Sequence, residues 1–282
     1  MGRACLRVCL GAALALLLAA TAGAQQSPEF TGFDRNSYPG DSALPALHRH
    51  FAFTGYWLTP PPGETVNTWQ GKRETLVRAG FGFLVLANGK DEAVIQAAAR
   101  QARLTAVAIG QRDGAAAAVA ARQEHFPTGT IVFVDQEEGG RLTSDQAEYL
   151  RGWVSGLVGG GYRAGIYLSG QPVSEGHGQH ISTAADVRER MQHGYFRAPV
   201  QLWVYQDACP PSNGCRLMPP PLARSGTPEA EVWQYAQSPR RPQLTAACAR
   251  TYAADGNCYA PDLPGLHLDL NVARTEDPSH GR

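Results

Sequence analysis

The chain has 282 residues with 25 Lys plus Arg against 25 Asp plus Glu, and charged residues make up 18% of it. A near-neutral chain without a basic block gives no electrostatic footing for nucleic acid or an anionic membrane. Its length suits one barrel-sized domain, although two small domains would also fit.

Arg3 and Arg7, an apolar run from Leu10 and the small residues Ala22-Gly23-Ala24 read as a secretory signal peptide over residues 1–24. A mature domain over 25–274 and a secreted, periplasmic or extracellular location follow as expectations. No later segment approaches the ~20 consecutive apolar residues of a spanning helix. Strand-like and helix-like runs then alternate: "EFTGFD" (29–34), helical "SALPALHRHF", strand "FAFTGYWL" (51–58), helical "WQGKRETLVRAG", strand "FGFLVLA" (81–87), helical "AAAAVAARQEH" (115–125) and strand "GTIVFVD" (129–135). The helix "TSDQAEYLRGWVSGLV" follows, capped by Thr143 or Ser144. Strand "YRAGIYLSG" (162–170), helix "AADVRERMQ" (184–192) and strands "VQLWVYQD" (200–207), "EVWQYAQ" (231–237) and "LHLDLNV" (266–272) complete the order. Eight strands alternating with helices predict parallel pairing in a (β/α)₈ TIM-type barrel whose final units are irregular and disulfide-containing. A doubly wound open sheet is the alternative. The polar tail, residues 275–282, is expected to be disordered.

The last third holds Cys209, Cys215, Cys248 and Cys258. An even number in an exported domain predicts two disulfides. Three pairings exist, and Cys209–Cys215 with Cys248–Cys258 is favoured because each joins neighbours within one Pro/Gly/Asn-rich loop. A four-cysteine zinc site would want paired short knuckles that are missing here. No metal or cofactor is expected.

The chemistry concentrates in "GTIVFVDQEEGG" (129–140). Strand alternation puts Phe133, Asp135 and Glu137 on one side, so the two carboxylates face the C-terminal mouth of a barrel roughly 6–7 Å apart along the strand. Glu138 begins the loop. Asp34, Tyr167, Asp207, Trp233, Tyr235, Asp269 and Asn271 fall at the same ends of other strands. Carboxylates floored by aromatics suit sugar, because aromatic faces stack on pyranose rings and a carboxyl pair can serve glycosidic cleavage. Each such residue also has a structural reading: strand-end carboxylates are commonly solvated, Asp269 could pair with an arginine or cap a loop, and Trp233 and Trp203 suit a core.

"GFDRN", "IVFVDQE", "GYRAGIYLSG", "VWQYAQ" and "LHLDLNVA" together resemble the DUF1906 family, the Rv2525c-like glycoside hydrolase-like domain, and more distantly the family 25 lysozymes (muramidases). The resemblance covers about residues 29–274. It implies a (β/α)₈ barrel, export, and a site of Asp34, Asp135 and Glu137. Glu137 matches the proton donor; Asp34 and Asp135 match carboxylates that orient the sugar or stabilise an oxocarbenium-like state. An ionised Asp135 beside Glu137, or an apolar wall from Trp203 or Trp233, would keep Glu137 protonated. Asp207 matches poorly, since the Cys209 loop follows it at once.

Other signals are weaker. The glycines of "GLVGGGYRAG" follow a helix and precede a strand, the reverse of a dinucleotide fingerprint. "HGQH" (177–180) reads as an exposed loop, and no G-x-S-x-G elbow is present. Two functions result. One is an exported, monomeric hydrolase of cell-wall or extracellular polysaccharide, including peptidoglycan-type glycan. The other is a non-catalytic carbohydrate-binding or envelope-associated module on the same barrel.

Overall fold

The computed structural model describes residues 29–282; the signal peptide expected over 1–24 lies outside them. Among the described residues ten strands are present: β1 (Phe30–Asp34), β2 (Phe53–Trp57), β3 (Gly82–Asn88), β4 (Ile131–Gln136), β5 (Arg163–Ser169), β6 (Val173–Gly176), β7 (Gln179–Ile181), β8 (Val200–Tyr205), β9 (Ala230–Ala236) and β10 (Asp269–Ala273). Eight of them close a barrel in the order β1-β10-β9-β8-β5-β4-β3-β2, while β6 and β7 make a separate hairpin from the "HGQH" region. All eight barrel strands are those expected, and the open-sheet alternative falls.

One strand runs the other way. β10 is antiparallel to both β9 and β1, which corrects the expectation of eight parallel strands. A parallel strand needs a crossover that returns the chain to the barrel floor. The segment before β10 holds only a short 3₁₀ turn (Ala246–Thr251) and an isolated bridge between Tyr259 and His267. The chain therefore enters β10 from the mouth, so Asp269 opens the strand that it was expected to close.

The helices are α1 (Leu44–His48), α2 (Arg73–Arg78), α3 (Glu92–Ala102), α4 (Ala106–Gln123), α5 (Ser144–Gly159) and α6 (Thr183–Gln192). α5 starts with a capping box: Gln146 N donates to Thr143 Oγ1 at 3.3 Å and Thr143 N donates to Gln146 Oε1 at 2.9 Å. α3 was not foreseen, since it buries only Ile95 and so lacks a broad apolar stripe. The lumen is filled from the strands. Phe133 packs edge-on against Trp203 at 5.7 Å, and a Cβ at Gly165 would sit 2.4 Å from Phe133 Cδ1, so the strand beside the ring must carry glycine.

The tail expected to be disordered is instead built into the barrel floor. Ser279 is fully buried; its Oγ accepts from Val85 N at 2.9 Å, its N donates to Phe83 O at 2.9 Å, and its O accepts from Ile131 N at 2.8 Å. Asp277 takes Phe83 N, and Arg73 donates to Gly281 O. β3 and β4 pair only from Val85 and Val132 upward, so the tail satisfies the backbone that the splayed strands leave free.

The cysteine pairing is also corrected. Cys209 is bonded to Cys248 and Cys215 to Cys258, with Cα separations of 5.8 and 5.2 Å. The loops after β8 and β9 leave adjacent strands of the barrel, so the spatial neighbour of each cysteine lies in the other loop.

Candidate active site

At the mouth, Asp34 ends β1 directly opposite Asp269 of β10. Asp34 is buried, and its Oδ1 accepts from Asn271 Nδ2 at 2.7 Å and Gln234 Nε2 at 2.9 Å. Both amides are fixed in turn. Asn271 Oδ1 accepts from Trp203 Nε1 at 2.9 Å, and Gln234 Oε1 accepts from Tyr167 Oη at 2.7 Å and Gln237 Nε2 at 2.9 Å. A Cβ at Gly55 would lie 2.6 Å from Asp34 Cβ, so the glycine in β2 makes room for the carboxylate.

Asp135, near the end of β4, is buried beside Tyr167 of β5, and its Oδ1 has no hydrogen-bond partner. Glu137 follows one residue past the strand and is exposed at the rim, its carbonyl fixed by Tyr205 Oη at 2.7 Å. Two cavities flank it. One of about 450 Å³ includes Asn88, Lys90, Asp135 and Gln136; the other, of about 570 Å³, includes Arg35, Gln237, Arg241, His267 and Asp269. Glu137 lines both. Glu138 has a separate task, accepting from Glu92 N at 3.0 Å at the start of α3 and from Gln146 of the α5 cap.

Asp34, Asp135 and Asp269 share a low-dielectric site and cannot all ionise together. Burial raises Asp34 to about 6, against the lowering effect of Asn271 and Gln234 and with a further rise from Glu137. Asp135 is pushed well above its ordinary value by burial, then by the charges of Glu137 and Asp34. Asp269 is pushed well up by burial and by Asp34, against the Ser238 N–H that it accepts at 2.6 Å. Glu137 is raised by desolvation alone. Asp135 and Glu137 are both raised, burial being the first cause for each.

Residues 64–256 match the family model described as Rv2525c-like, glycoside hydrolase-like domain. The chain belongs to that family. The match leaves β1 and β10, with Asp34, Asp269 and Asn271, outside its span. No curated protein matches the chain. Among solved structures, an uncharacterized B. stearothermophilus protein is similar at 21% identity over 86% of this chain and 95% of its own, with a TM-score of 0.50. The Mycobacterium tuberculosis Tat-secreted protein Rv2525c is similar at 12% identity over 89% and 98%, with a TM-score of 0.49. The Clostridium perfringens spore cortex lytic enzyme SleM is similar at 13% over 88% and 68%, with a TM-score of 0.48. Likeness at these identities concerns the fold.

In this chain Asp34, Asp135, Glu137, Tyr167 and Asp269 gather at one mouth, whereas four other expected sugar contacts do not serve as such. Asp207 is wholly buried in an ion pair with Arg241, whose Nε lies 3.1 Å from Oδ2, and it also accepts from Gln171 Nε2 at 3.1 Å. Trp233 and Tyr235 are wholly buried. Gln234 between them points into the lumen, so alternation turns both aromatics to the outer side, where Trp233 Nε1 donates to Gln206 O at 2.8 Å and Tyr235 Oη to Arg216 O at 3.0 Å. Asn271 is fully buried and positions Asp34. Gln234, Gln237 and Arg35 were missed; the polar residue between two aromatics in "VWQY" was the signal for Gln234, since a mouth-facing strand position favours it over its neighbours.

Proposed function

We propose that this chain is an exported glycoside hydrolase acting on cell-wall or extracellular polysaccharide, with Glu137 as the proton donor. The observation that carries the reading is Glu137 at the rim between two cavities, above the buried carboxyls Asp135 and Asp34. A glycan lying across both cavities presents one linkage to Glu137. Desolvation raises that carboxyl, which favours the protonated form that an acid catalyst needs. Asp34 has two amide donors aimed at one oxygen, which stabilise its anion; it is suited to balance positive charge developing on the sugar ring. Asp135, held protonated, orients the sugar by a hydrogen bond. The two disulfides agree with an oxidising location outside the cytosol, and among the described residues no helix is long and apolar enough to cross a membrane.

Release of reducing ends from a panel of purified peptidoglycans and neutral and acidic polysaccharides tests this. Glu137→Gln keeps the shape but cannot donate the proton, so cleavage should fall about 10²–10⁴-fold with folding and glycan binding preserved. Glycan binding by the wild-type protein, with no cleavage that Glu137→Gln abolishes, leaves the binding-module reading instead.

A further inference from the structure

β8 carries no carboxyl of the site, yet two of its side chains hold carboxyl-bearing residues of other strands. Trp203 and Tyr205 lie two residues apart and so face the lumen together. Trp203 fixes Asn271, the amide bound to Asp34. Tyr205, the last residue of β8, reaches past β5 to the end of β4, where its Oη donates to the Glu137 carbonyl at 2.7 Å. Its ring is buried, with the Tyr167 ring 5.4 Å away and the Arg241 guanidinium over it at 5.3 Å. Arg241 is held in turn by the buried Asp207 carboxylate, to which its Nε donates at 3.1 Å. A line of contacts thus runs from Asp207 through Arg241 and Tyr205 to Glu137.

Glu137 lies one residue beyond the paired part of β4, so its direction depends on contacts outside the sheet. Glu138 has its own: Thr183 Oγ1 donates to its carbonyl at 3.1 Å, and its carboxylate accepts from Glu92 N. At Glu137 the Tyr205 hydroxyl supplies one. Burial raises that hydroxyl above the ordinary phenol value, so its proton is present across the neutral range, and the cation over the ring favours the electron-rich face. Proton donation depends steeply on position, since a displacement of about 1 Å can cost about 10²-fold in rate. We propose that Tyr205 is a positioning residue for Glu137, fixing the acid through its backbone carbonyl, and that Arg241 and Asp207 act on the site by holding the Tyr205 ring. The inference deepens the glycosidase reading and rests on it for the task of Glu137. It gives the buried ion pair a part in cleavage without any contact with sugar.

Tyr205→Phe removes one hydroxyl and changes no charge, and the residue it releases is at the exposed rim, so the fold should stay intact. The variant should cleave about 10- to 100-fold more slowly in kcat with KM nearly unchanged. Two NMR readouts need no cleavage. The Glu137 amide should lose order, and its carboxyl, raised by burial in the wild type, should titrate nearer the ordinary glutamate value as the side chain turns into water. A Glu137 that stays equally ordered with an unchanged titration overturns the positioning role, as does an unchanged kcat. Arg241→Lys keeps a cation for Asp207 and loses the guanidinium plane over the ring. It should weaken the same readouts, and adding it to Tyr205→Phe should bring no further loss. Additive effects place Arg241 on the glycan itself and overturn the route through Tyr205. Wild-type protein that cleaves no purified glycan overturns the glycosidase reading alone, because the order and titration of Glu137 in these variants still decide whether Tyr205 holds it.

Discussion

Asn271 Nδ2 lies 2.7 Å from Asp34 Oδ1 across the antiparallel strand pair β1–β10 that closes the barrel. The same side chain accepts Trp203 Nε1 at 2.9 Å, so one amide joins the lumen core to the site. Asn271→Ala should leave the indole N–H buried and unpaired at a cost of about 1–3 kcal/mol in chemical denaturation. It should also move the Asp34 carboxyl above its value of about 6, measurable by NMR titration; an unchanged Asp34 titration would remove Asn271 from the positioning role.

Asp34 makes stability depend on pH with a definite sign. Its carboxyl rises from an ordinary 3.8 to about 6 on folding, so through that window the folded state holds more protons than the unfolded chain. The stabilisation is complete below the unfolded value and is lost as pH climbs through the folded one, amounting to about 3 kcal/mol for a shift of this size. Asp34→Asn should flatten this part of the profile and stabilise the protein above pH 6 relative to wild type. A stability curve from pH 3.5 to 7 that is identical for both proteins would contradict it.

Asp207 separates structural from binding roles. Removing the carboxylate with Asp207→Ala leaves the Arg241 guanidinium and the buried Gln171 amide without their acceptor, at a cost of about 1–3 kcal/mol. A variant that keeps wild-type stability but loses glycan affinity would return Asp207 to the sugar-contact role.

The disulfides bridge separations of 39 and 43 residues. In the chain-entropy model each removes about 4 kcal/mol of unfolded-state freedom, more than a short loop within one segment would. Replacing Cys209 and Cys248 by serine should lower the denaturation midpoint accordingly. Peptide mapping under oxidising conditions should recover Cys209 linked to Cys248 and Cys215 to Cys258.

Ser279→Ala tests the floor. It deprives buried Val85 N of its acceptor, at about 1–3 kcal/mol, and deletion of residues 276–282 should cost more because it also uncovers Phe83 N and Ile131 N. Equal stability of the truncated and full chains would show that the tail is dispensable.

The strands, the barrel and the gathering of Asp34, Asp135 and Glu137 were legible because apolar runs ending in carboxylates carry a period-two signal that local sequence preserves. The direction of β10 was not, because "LHLDLNV" reads alike either way and only the path of the preceding loop decides. Trp233 and Tyr235 were misplaced because the face of a fully buried strand cannot be chosen from residue type alone: both sides of β9 are covered. The tail looked disordered by composition, yet Ser279 and Asp277 are bound by backbone donors that no pattern in residues 275–282 reveals. The cysteine pairing depended on adjacency of β8 and β9, a property of the closed sheet.

Because β10 descends from the mouth, Phe30 at the start of β1 pairs with Ala273 at the end of β10, and the C-terminal segment then stays beneath β3. Both ends of the described chain therefore emerge on the face opposite Glu137. A bead, chip or fused partner attached at Arg282 would hold every molecule the same way up, with the cleft turned outward toward an insoluble polymer, so surface-immobilised protein should retain the access to bulky glycan that the free protein has.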